Sequence, residues 1–329
     1  MKSSATKRFF KSNAYSSAAW AVLAVLVVVC AIRAPYLFTA SGIGGLVVST
    51  TPLILLVMAL TITALVGNGV DLAAGPLMIF VNVMVVTVLF DNRIGAAYIV
   101  IPFALGIGIA IQLIIALVIT IARIEPIIVT LAGFLALAGI NLVVMPDPGG
   151  QAPGWLASWG AGRSPFSAMA LLLVICIVLW ILLSRTPLFT RIRLVGANPR
   201  TSFVSGLPIT GTRILANVIS GALIGAAGLA YTGQIASGNP TQGATYTLAG
   251  ITALVLGGIS LVGGRGGILG AIPGAIAISL ITFTLSTFSL GLYASFIVQL
   301  SYGLILILAL LLSVVVPSFI RRRKEMRNA

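Results

Sequence analysis

Few side chains in this chain have the types and spacing that catalysis or metal binding requires. The 329 residues include no His, which excludes imidazole zinc sites and His-dependent acid–base or triad chemistry. The lysines are Lys2, Lys7, Lys11 and Lys324, so no Gly-rich loop ends in Gly-Lys-Ser/Thr and the chain has no P-loop for a nucleoside triphosphate. We therefore predict no catalytic residue, metal site or cofactor on this chain. If ATP drives its action, another polypeptide must hydrolyse the ATP.

Acidic groups are nearly as scarce, with five Asp and Glu in all. Glu125 lies beside Arg123 and before Pro126, where we expect it to mark the start of a helix. Asp71 lies between two apolar runs, and three roles are open for it. It could cap the following helix, contact a solute, or serve as the coupling carboxylate of an ion-driven carrier.

The sequence around Asp71 is interrupted by residues that break helices. The range 67–76 contains three Gly, one Pro and one Asn between two apolar segments. Irregular backbone in an apolar surrounding is tolerated only where protein buries it or where it lines a water-filled cavity. A second Gly-rich run, 263–267, is interpreted as a tight connection between helices.

Uncharged amides inside apolar segments are further candidates. Such an amide needs a hydrogen-bonding partner or water. It can line a solute pathway or form a hydrogen bond between helices, and both roles are open for each residue. With Asp71, the candidates for a substrate pathway are Asn68, Asn82, Gln112, Asn141, Asn217 and Gln299.

The composition indicates which elements must position these residues. Hydrophobic residues make up 59% of the chain and charged residues 7%, and the mean hydropathy is +1.18. A soluble domain carries roughly 25% charged residues, so a soluble protein is excluded. Cys30 and Cys176 lie inside long apolar runs, where we expect them to pack as small apolar residues.

Apolar runs close to the roughly 20 residues that cross a bilayer recur along the chain. They predict an all-α polytopic membrane protein of about ten transmembrane helices, or nine because two of the runs are short. The predicted spans are 17–37, 44–66, 73–90, 95–122, 126–145, 165–184, 213–233, 247–262, 267–288 and 294–317.

The distribution of charge predicts the orientation. With both termini in the cytoplasm, 16 of the 19 basic residues lie inside and only Arg33, Arg93 and Arg163 lie outside. The basic excess of the chain therefore reflects its topology, and we expect membrane lipid and no nucleic acid as a partner. The predicted parts are a tail 1–16, a transmembrane domain 17–317 with a cytoplasmic loop 185–212, and a basic tail 318–329.

The cytoplasmic loop 185–212 contains a predicted helix of about two turns. Asn198 is a good N-cap, Pro199 suits the first helical position, and Gly206 suits the end. The helix carries an apolar pair, Phe203 and Val204, which would be buried either in the groove of a partner protein or on the lipid surface. The residues assigned to a partner contact are Asn198, Pro199, Arg200, Phe203, Val204 and Gly206.

Three stretches resemble the permease subunits of bacterial ATP-binding-cassette sugar importers of the ribose type. Residues 68–75, Asn-Gly-Val-Asp-Leu-Ala-Ala-Gly, are similar to a family pattern Gly-Gly-Ile-Asp-Leu-Ser-Val-Gly. Residues 195–199, followed by Ser-Gly-Leu at 205–207, resemble the cytoplasmic Gly-x-Asn-Pro segment of the family. The most specific stretch is 249–270, with Leu-Gly-Gly-Ile-Ser-Leu-Val-Gly-Gly-Arg-Gly-Gly at its centre. The resemblance runs from about residue 45 to the last span.

The resemblance implies a complex in a bacterial inner membrane whose subunits have separate tasks. Two permease chains, identical or related, form the pathway, an ATPase that holds ATP and Mg²⁺ docks from the cytoplasm, and a periplasmic binding protein delivers a monosaccharide or similar polyol. It also implies that 198–206 meets the ATPase. Asn68, Ala73 and Pro76 depart from the family pattern, as does the run after Pro199, so the solute and the cognate ATPase stay open.

Two alternatives remain at the level of the sequence. One is a self-sufficient ion-coupled carrier or channel that uses Asp71. The other is a permease of the same ATP-driven kind for nucleosides or branched-chain amino acids.

Overall fold

The computed structural model describes residues 17–162, 164–288, 293, 296–308 and 311. Within these residues the regular structure is helical, and the only extended pairing is an isolated bridge between Gly149 and Gly238. The predicted tails 1–16 and 318–329 lie outside the described residues, as does the end of the last predicted span.

The helices follow one another along the chain with short connections. They are α1 Ser17–Arg33, α2 Ala40–Leu65, α3 Ala74–Met84, α4 Ala97–Thr120, α5 Pro126–Val144, α6 Gly154–Ala157, α7 Ala168–Ser184, α8 Pro187–Ala197, α9 Pro199–Val204, α10 Ile209–Ile235, α11 Gly243–Leu256, α12 Ile268–Ser286 and α13 Phe296–Leu308. The π-helical segment Val85–Phe90 extends α3.

Several of these helices are long and apolar enough to cross a membrane. Among the described residues, five meet that requirement alone, namely α2, α4, α5, α10 and α12. Helices α7 and α8 form a sixth candidate that is bent by 75°. Shorter apolar helices are α1, α3 with its extension, α11 and α13. The prediction of an all-helical polytopic membrane protein is therefore confirmed, whereas the number of crossings stays a prediction.

The structure corrects several helix ends. The predicted span 247–262 is wrong beyond Leu256, because α11 ends at Leu256 and the left-handed Gly258 turns the chain away. Helix α1 ends at Arg33, and the residues Pro35–Phe38 that follow form a 3₁₀ turn. Loop 185–212 contains α8 as well as the predicted short helix, and α10 already begins at Ile209.

Small residues allow the central helices to approach closely. Helices α4 and α10 cross where Gly108 faces Gly221, so that a Cβ on Gly221 would lie 2.5 Å from the Gly108 carbonyl oxygen. Gly225, four residues further along α10, lies in the same way against Ala104 of α4. Such small-xxx-small spacing is typical of helices packed in a membrane. Helices α11 and α12 repeat the arrangement through Gly257 and Gly274.

Helix α2 connects two ends of the molecule with different loops. Near its start, Gly44 lies against the backbone of Gly162, and the loops 146–164 and 236–242 meet there through paired backbone hydrogen bonds of 2.7 and 3.0 Å. Trp155 and Trp159 pack edge-to-face in this region, which we term the Trp end. The last residue of α2, Leu65, contacts loop 257–267 and the end of α8, and we term this region the basic end.

Candidate functional site

A cavity of about 550 Å³ lies near the Trp end, between the first half of α2 and the helices α10 to α13. This volume falls within the roughly 300–1,000 Å³ of small-molecule sites. The lining residues come from α2, the end of α10, the connection to α11, α11 itself, and α12 and α13. They are Ser49, Leu53, Gln234, Gln242, Thr245, Tyr246, Ala249, Ser279, Thr282, Phe283, Leu285, Val298, Gln299 and Tyr302.

The polar groups of this cavity are uncharged. Three amides, four aliphatic hydroxyls and two tyrosine hydroxyls line it, and none of its described lining residues is ionised. Hydroxyls and amides can both donate and accept hydrogen bonds, which matches the needs of a neutral solute with several hydroxyl groups. The Oε1 atom of Gln234 is buried and has no hydrogen-bond partner among the described residues. Thr282 and Tyr302 share a hydrogen bond of 2.6 Å between α12 and α13.

Of the seven residues predicted for a substrate pathway, Gln299 lies at this cavity. Gln234 and Gln242 were missed because the sequence interpretation places them in an external connection. The pairs Ser279 with Thr282 and Gln299 with Tyr302 give a signal that could have been used. Each pair is three residues apart, which places its two polar groups on one face of an otherwise apolar helix.

Asp71 lies buried in the broken segment between α2 and α3, outside the residues that line this cavity. One carboxylate oxygen accepts a hydrogen bond of 3.0 Å from the Ala73 N–H at the start of α3. The other oxygen accepts a hydrogen bond of 2.5 Å from Nε2 of Gln112 on α4. Asp71 therefore ties the segment just before α3 to α4, and the Ala73 N–H that it binds lies one residue ahead of the first residue of α3. A helix cap, one of the three roles left open by the sequence, stays a prediction.

The buried amides on α3 and α5 also join elements. Asn82 donates to Thr232 and to the Ser237 carbonyl, and it accepts from the Asn239 N–H at 3.0 Å. Asn141 donates to the Pro76 carbonyl at 3.1 Å. Both residues therefore connect α3 to neighbouring elements.

Two other predicted amides differ from this pattern. The Asn217 amide donates to the Arg213 carbonyl one turn earlier in α10. Asn68 is buried, and neither polar atom of its side chain has a hydrogen-bond partner in the part of the chain that the structure describes. The structure thus brings Asp71 and Gln112 together, but it does not gather the predicted amides into one cavity.

Three backbone segments meet at the basic end in contacts that leave no room for a side chain. Gly196 of α8 lies against Leu65 at the end of α2 and against Gly264, and a Cβ on Gly196 would overlap with the Leu65 carbonyl oxygen. The N–H of Gly264 donates to that same oxygen at 3.0 Å. Gly263 and Gly67 complete this group, which we term the glycine junction, and both have positive φ angles. The junction joins loop 185–212 directly to the broken segment after α2.

Helix α8 is held to the adjoining connection by its buried face and by one basic side chain. Phe189, Ile192 and Val195 are buried at a spacing of three, which is the signal that could have predicted this helix. Arg193 donates a short hydrogen bond to the Gly266 carbonyl, and its guanidinium packs over the Phe189 ring. These contacts anchor α8 to loop 257–267 beside the glycine junction.

The predicted helix in loop 185–212 is present as α9, Pro199–Val204. The Asn198 side chain accepts a hydrogen bond of 3.1 Å from the Thr201 N–H, as expected of an N-cap, and the chain turns at Gly206 with φ of 74°. Phe203 is 73% exposed and Val204 is 86% exposed, so neither side chain is covered by the protein. The local structure of this segment is therefore as predicted, and Arg200 lies on its exposed surface.

A family model described as "Branched-chain amino acid transport system / permease component" matches residues 42–315. The ribose import permease of Escherichia coli K12 is 26% identical over 88% of this chain and 90% of its own length. The ribose import permease of Bacillus subtilis is 31% identical over 60% of this chain, and the match covers 62% of that relative, less than two thirds. The galactose/methyl galactoside import permease of E. coli K12 is 26% identical over 94% of this chain and 97% of its own length. No solved structure matches the chain significantly.

Proposed function

The chain belongs to this family of transport permeases, and from that premise we propose that it is the membrane-spanning subunit of an ATP-driven importer for a monosaccharide or similar polyol. The observation that carries the proposal is the uncharged cavity near the Trp end, where hydroxyl and amide groups surround about 550 Å³. The relatives named for ribose and galactose import support the same class of cargo.

The proposed assembly has three kinds of partner. An ATPase that binds ATP and Mg²⁺ docks on α9, because this chain lacks a P-loop and exposes Phe203 on a capped helix. A periplasmic binding protein delivers the solute to the Trp end, and a second permease chain completes the pathway. In this arrangement the protein lies in a bacterial inner membrane, its ten apolar helices cross the bilayer, and both termini are cytoplasmic.

The geometry suggests how ATPase motion reaches the pathway. Helix α9 follows α8 after Asn198 alone, and α8 ends in the glycine junction. Direct contacts between backbone segments pass a displacement on with little deformation, because no flexible side chain lies between the segments. Movement of α9 is therefore expected to shift the end of α2 and the loop 257–267, and thereby the helices that line the cavity.

A branched-chain amino acid is the second candidate cargo, since the family model carries that description. A zwitterion needs compensating charges when it leaves water. The described residues that line the cavity provide none, so the geometry favours the neutral polyol.

The proposal can be tested by reconstitution. The chain would be placed in proteoliposomes with a co-expressed ATPase and binding protein, and uptake of radiolabelled ribose, galactose, leucine and uridine would be compared with and without ATP. We expect ATP-dependent uptake of a sugar. Uptake by the permease alone, driven by a proton or sodium gradient, would support the self-sufficient carrier and overturn this proposal. Uptake of leucine or uridine in place of a sugar would overturn the cargo class.

A further inference from the structure

We propose that a groove at the basic end binds the headgroup of an anionic phospholipid. A cavity of about 300 Å³ lies where the turn 121–125, between α4 and α5, meets the first turn of α10. Arg123 and Arg213 line it together with the hydroxyl groups of Thr120 and Thr210. Two guanidiniums and the Thr210 hydroxyl are donors of the kind that a phosphate group accepts from.

The Thr120 hydroxyl at this groove already donates to the Ala116 carbonyl at 2.7 Å, so the two guanidiniums and the Thr210 hydroxyl are the donors left for a ligand. In the part of the chain that the structure describes, neither guanidinium pairs with a carboxylate, and the half-buried Arg213 has an Nε atom without a partner. Helix α10 begins at this groove after Pro208, which provides no side-chain cap for the free N–H groups of the first turn. Glu125 also lines the groove, so its three ionisable side chains carry a net charge of one positive unit.

The surroundings of the groove favour a lipid over a soluble anion. Ile121 and Ile124 in the turn are 69% and 42% exposed, and Ile127 and Ile128 in the first turn of α5 are 56% and 59% exposed. Ile124 lines the groove, and the other three lie within five residues of Arg123 in the sequence; together we term these four side chains the apolar rim. A phospholipid matches both parts, with its phosphate among the donors and its acyl chains along the isoleucines. A free phosphate would leave the rim exposed.

Lipid titration with native mass spectrometry of the full-length chain in neutral detergent tests this inference. We expect phosphatidylglycerol to bind more tightly than phosphatidylcholine. Arg123→Gln and Arg213→Gln should each weaken phosphatidylglycerol binding about fivefold, the effect of one basic residue near an anionic headgroup. Glu125→Gln should strengthen it, because the variant removes the repelling carboxylate. Arg123 is exposed, so its variant keeps the test decisive if Arg213→Gln does not fold.

Arg185→Gln is the matched control, because this arginine is exposed at the same end but does not line the groove. An equal loss in the control would mean that overall charge attracts the lipid, and would overturn the site. Equal binding of phosphatidylcholine, or displacement of phosphatidylglycerol by millimolar inorganic phosphate, would overturn it as well. The inference does not depend on the cargo, so it can fail or hold independently of the proposed function.

Discussion

The two ends of the molecule differ in how their polar groups are used. At the Trp end, uncharged side chains surround a cavity, and the buried acceptor of Gln234 has no partner among the described residues. At the basic end, backbone segments contact one another through glycine, while Phe203 and Arg123 are exposed. We propose that one end surrounds a small neutral molecule and that the other meets large or charged partners.

This difference has a physical reason. A small solute must be released again, so weak hydrogen bonds from side chains suit the cavity better than ionic contacts. Coupling to another protein requires a rigid connection, which direct backbone contact provides. The comparison can be tested by changing one end and measuring the function assigned to the other.

The largest effect on association with a partner is expected from Phe203→Asp, which places a charge on the exposed face of α9. Loss of a buried aromatic anchor costs about 2 kcal/mol or more, or roughly a 30-fold weaker association. We expect co-purification with the ATPase to be lost while the chain remains inserted in the membrane. Phe203→Leu, which keeps an apolar side chain, should retain most of the association. Normal co-purification of the Asp variant would contradict docking at α9.

Gly196→Ala tests whether the glycine junction needs close backbone contact. The added methyl group overlaps with the Leu65 carbonyl and lies 2.9 Å from the Gly264 nitrogen. Forcing extra volume into a packed site costs about 1–3 kcal/mol, and we expect the upper end of this range because the neighbouring atoms are backbone. Thermal unfolding in detergent measures the loss. Gly139→Ala on α5 has open space around the new Cβ and should change little.

Two substitutions at Asp71 test whether its carboxylate has a structural role or couples transport to an ion gradient. Asp71→Leu leaves the Ala73 N–H and the Gln112 amide unpaired, at a cost of about 1–3 kcal/mol for each group. Asp71→Asn should be much milder, because the Gln112 amide can rotate and offer its unpartnered Oε1 to the new NH₂ group. Unfolding temperatures and ATP-driven uptake would be compared for both variants. If the Asn variant is as damaged as the Leu variant, the negative charge itself is needed and the ion-coupled alternative gains support.

The smallest effect is expected from Gln234→Leu in the cavity. Removing one hydrogen-bonding group costs about 1 kcal/mol, which corresponds to a roughly fivefold lower uptake at limiting sugar concentration. Gln151→Leu is a suitable control, since Gln151 is exposed and does not line the cavity. Unchanged uptake in the Gln234 variant would argue that solute does not pass this cavity.

Local features were predictable because they depend on neighbours in the sequence. The ten apolar runs each overlap an apolar helix, and the N-cap of Asn198 with the stop at Gly206 defines α9 as expected. Helix α8 was missed because its pattern, with Phe189 and Ile192 on the buried side, was interpreted as part of a solvated basic loop. The basic residues of this segment led to its interpretation as a loop, although it forms an amphipathic helix.

Long-range placement was not predictable in the same way. Asn82 contacts Thr232, 150 residues further along the chain, and Gln112 contacts Asp71, 41 residues earlier. An amide in an apolar segment indicates that a partner is needed, but it does not identify the partner.

The sequence by itself determined the class of protein. The apolar composition requires a membrane, and the absence of lysine between Lys11 and Lys324 removes the P-loop. The tertiary structure alone decided that Gly67, Gly196 and Gly264 form one junction, and that Gln234 and Gln299 lie at one cavity. The physical reason is that composition and local spacing fix what each segment can bury, whereas contacts between distant segments depend on how the helices cross.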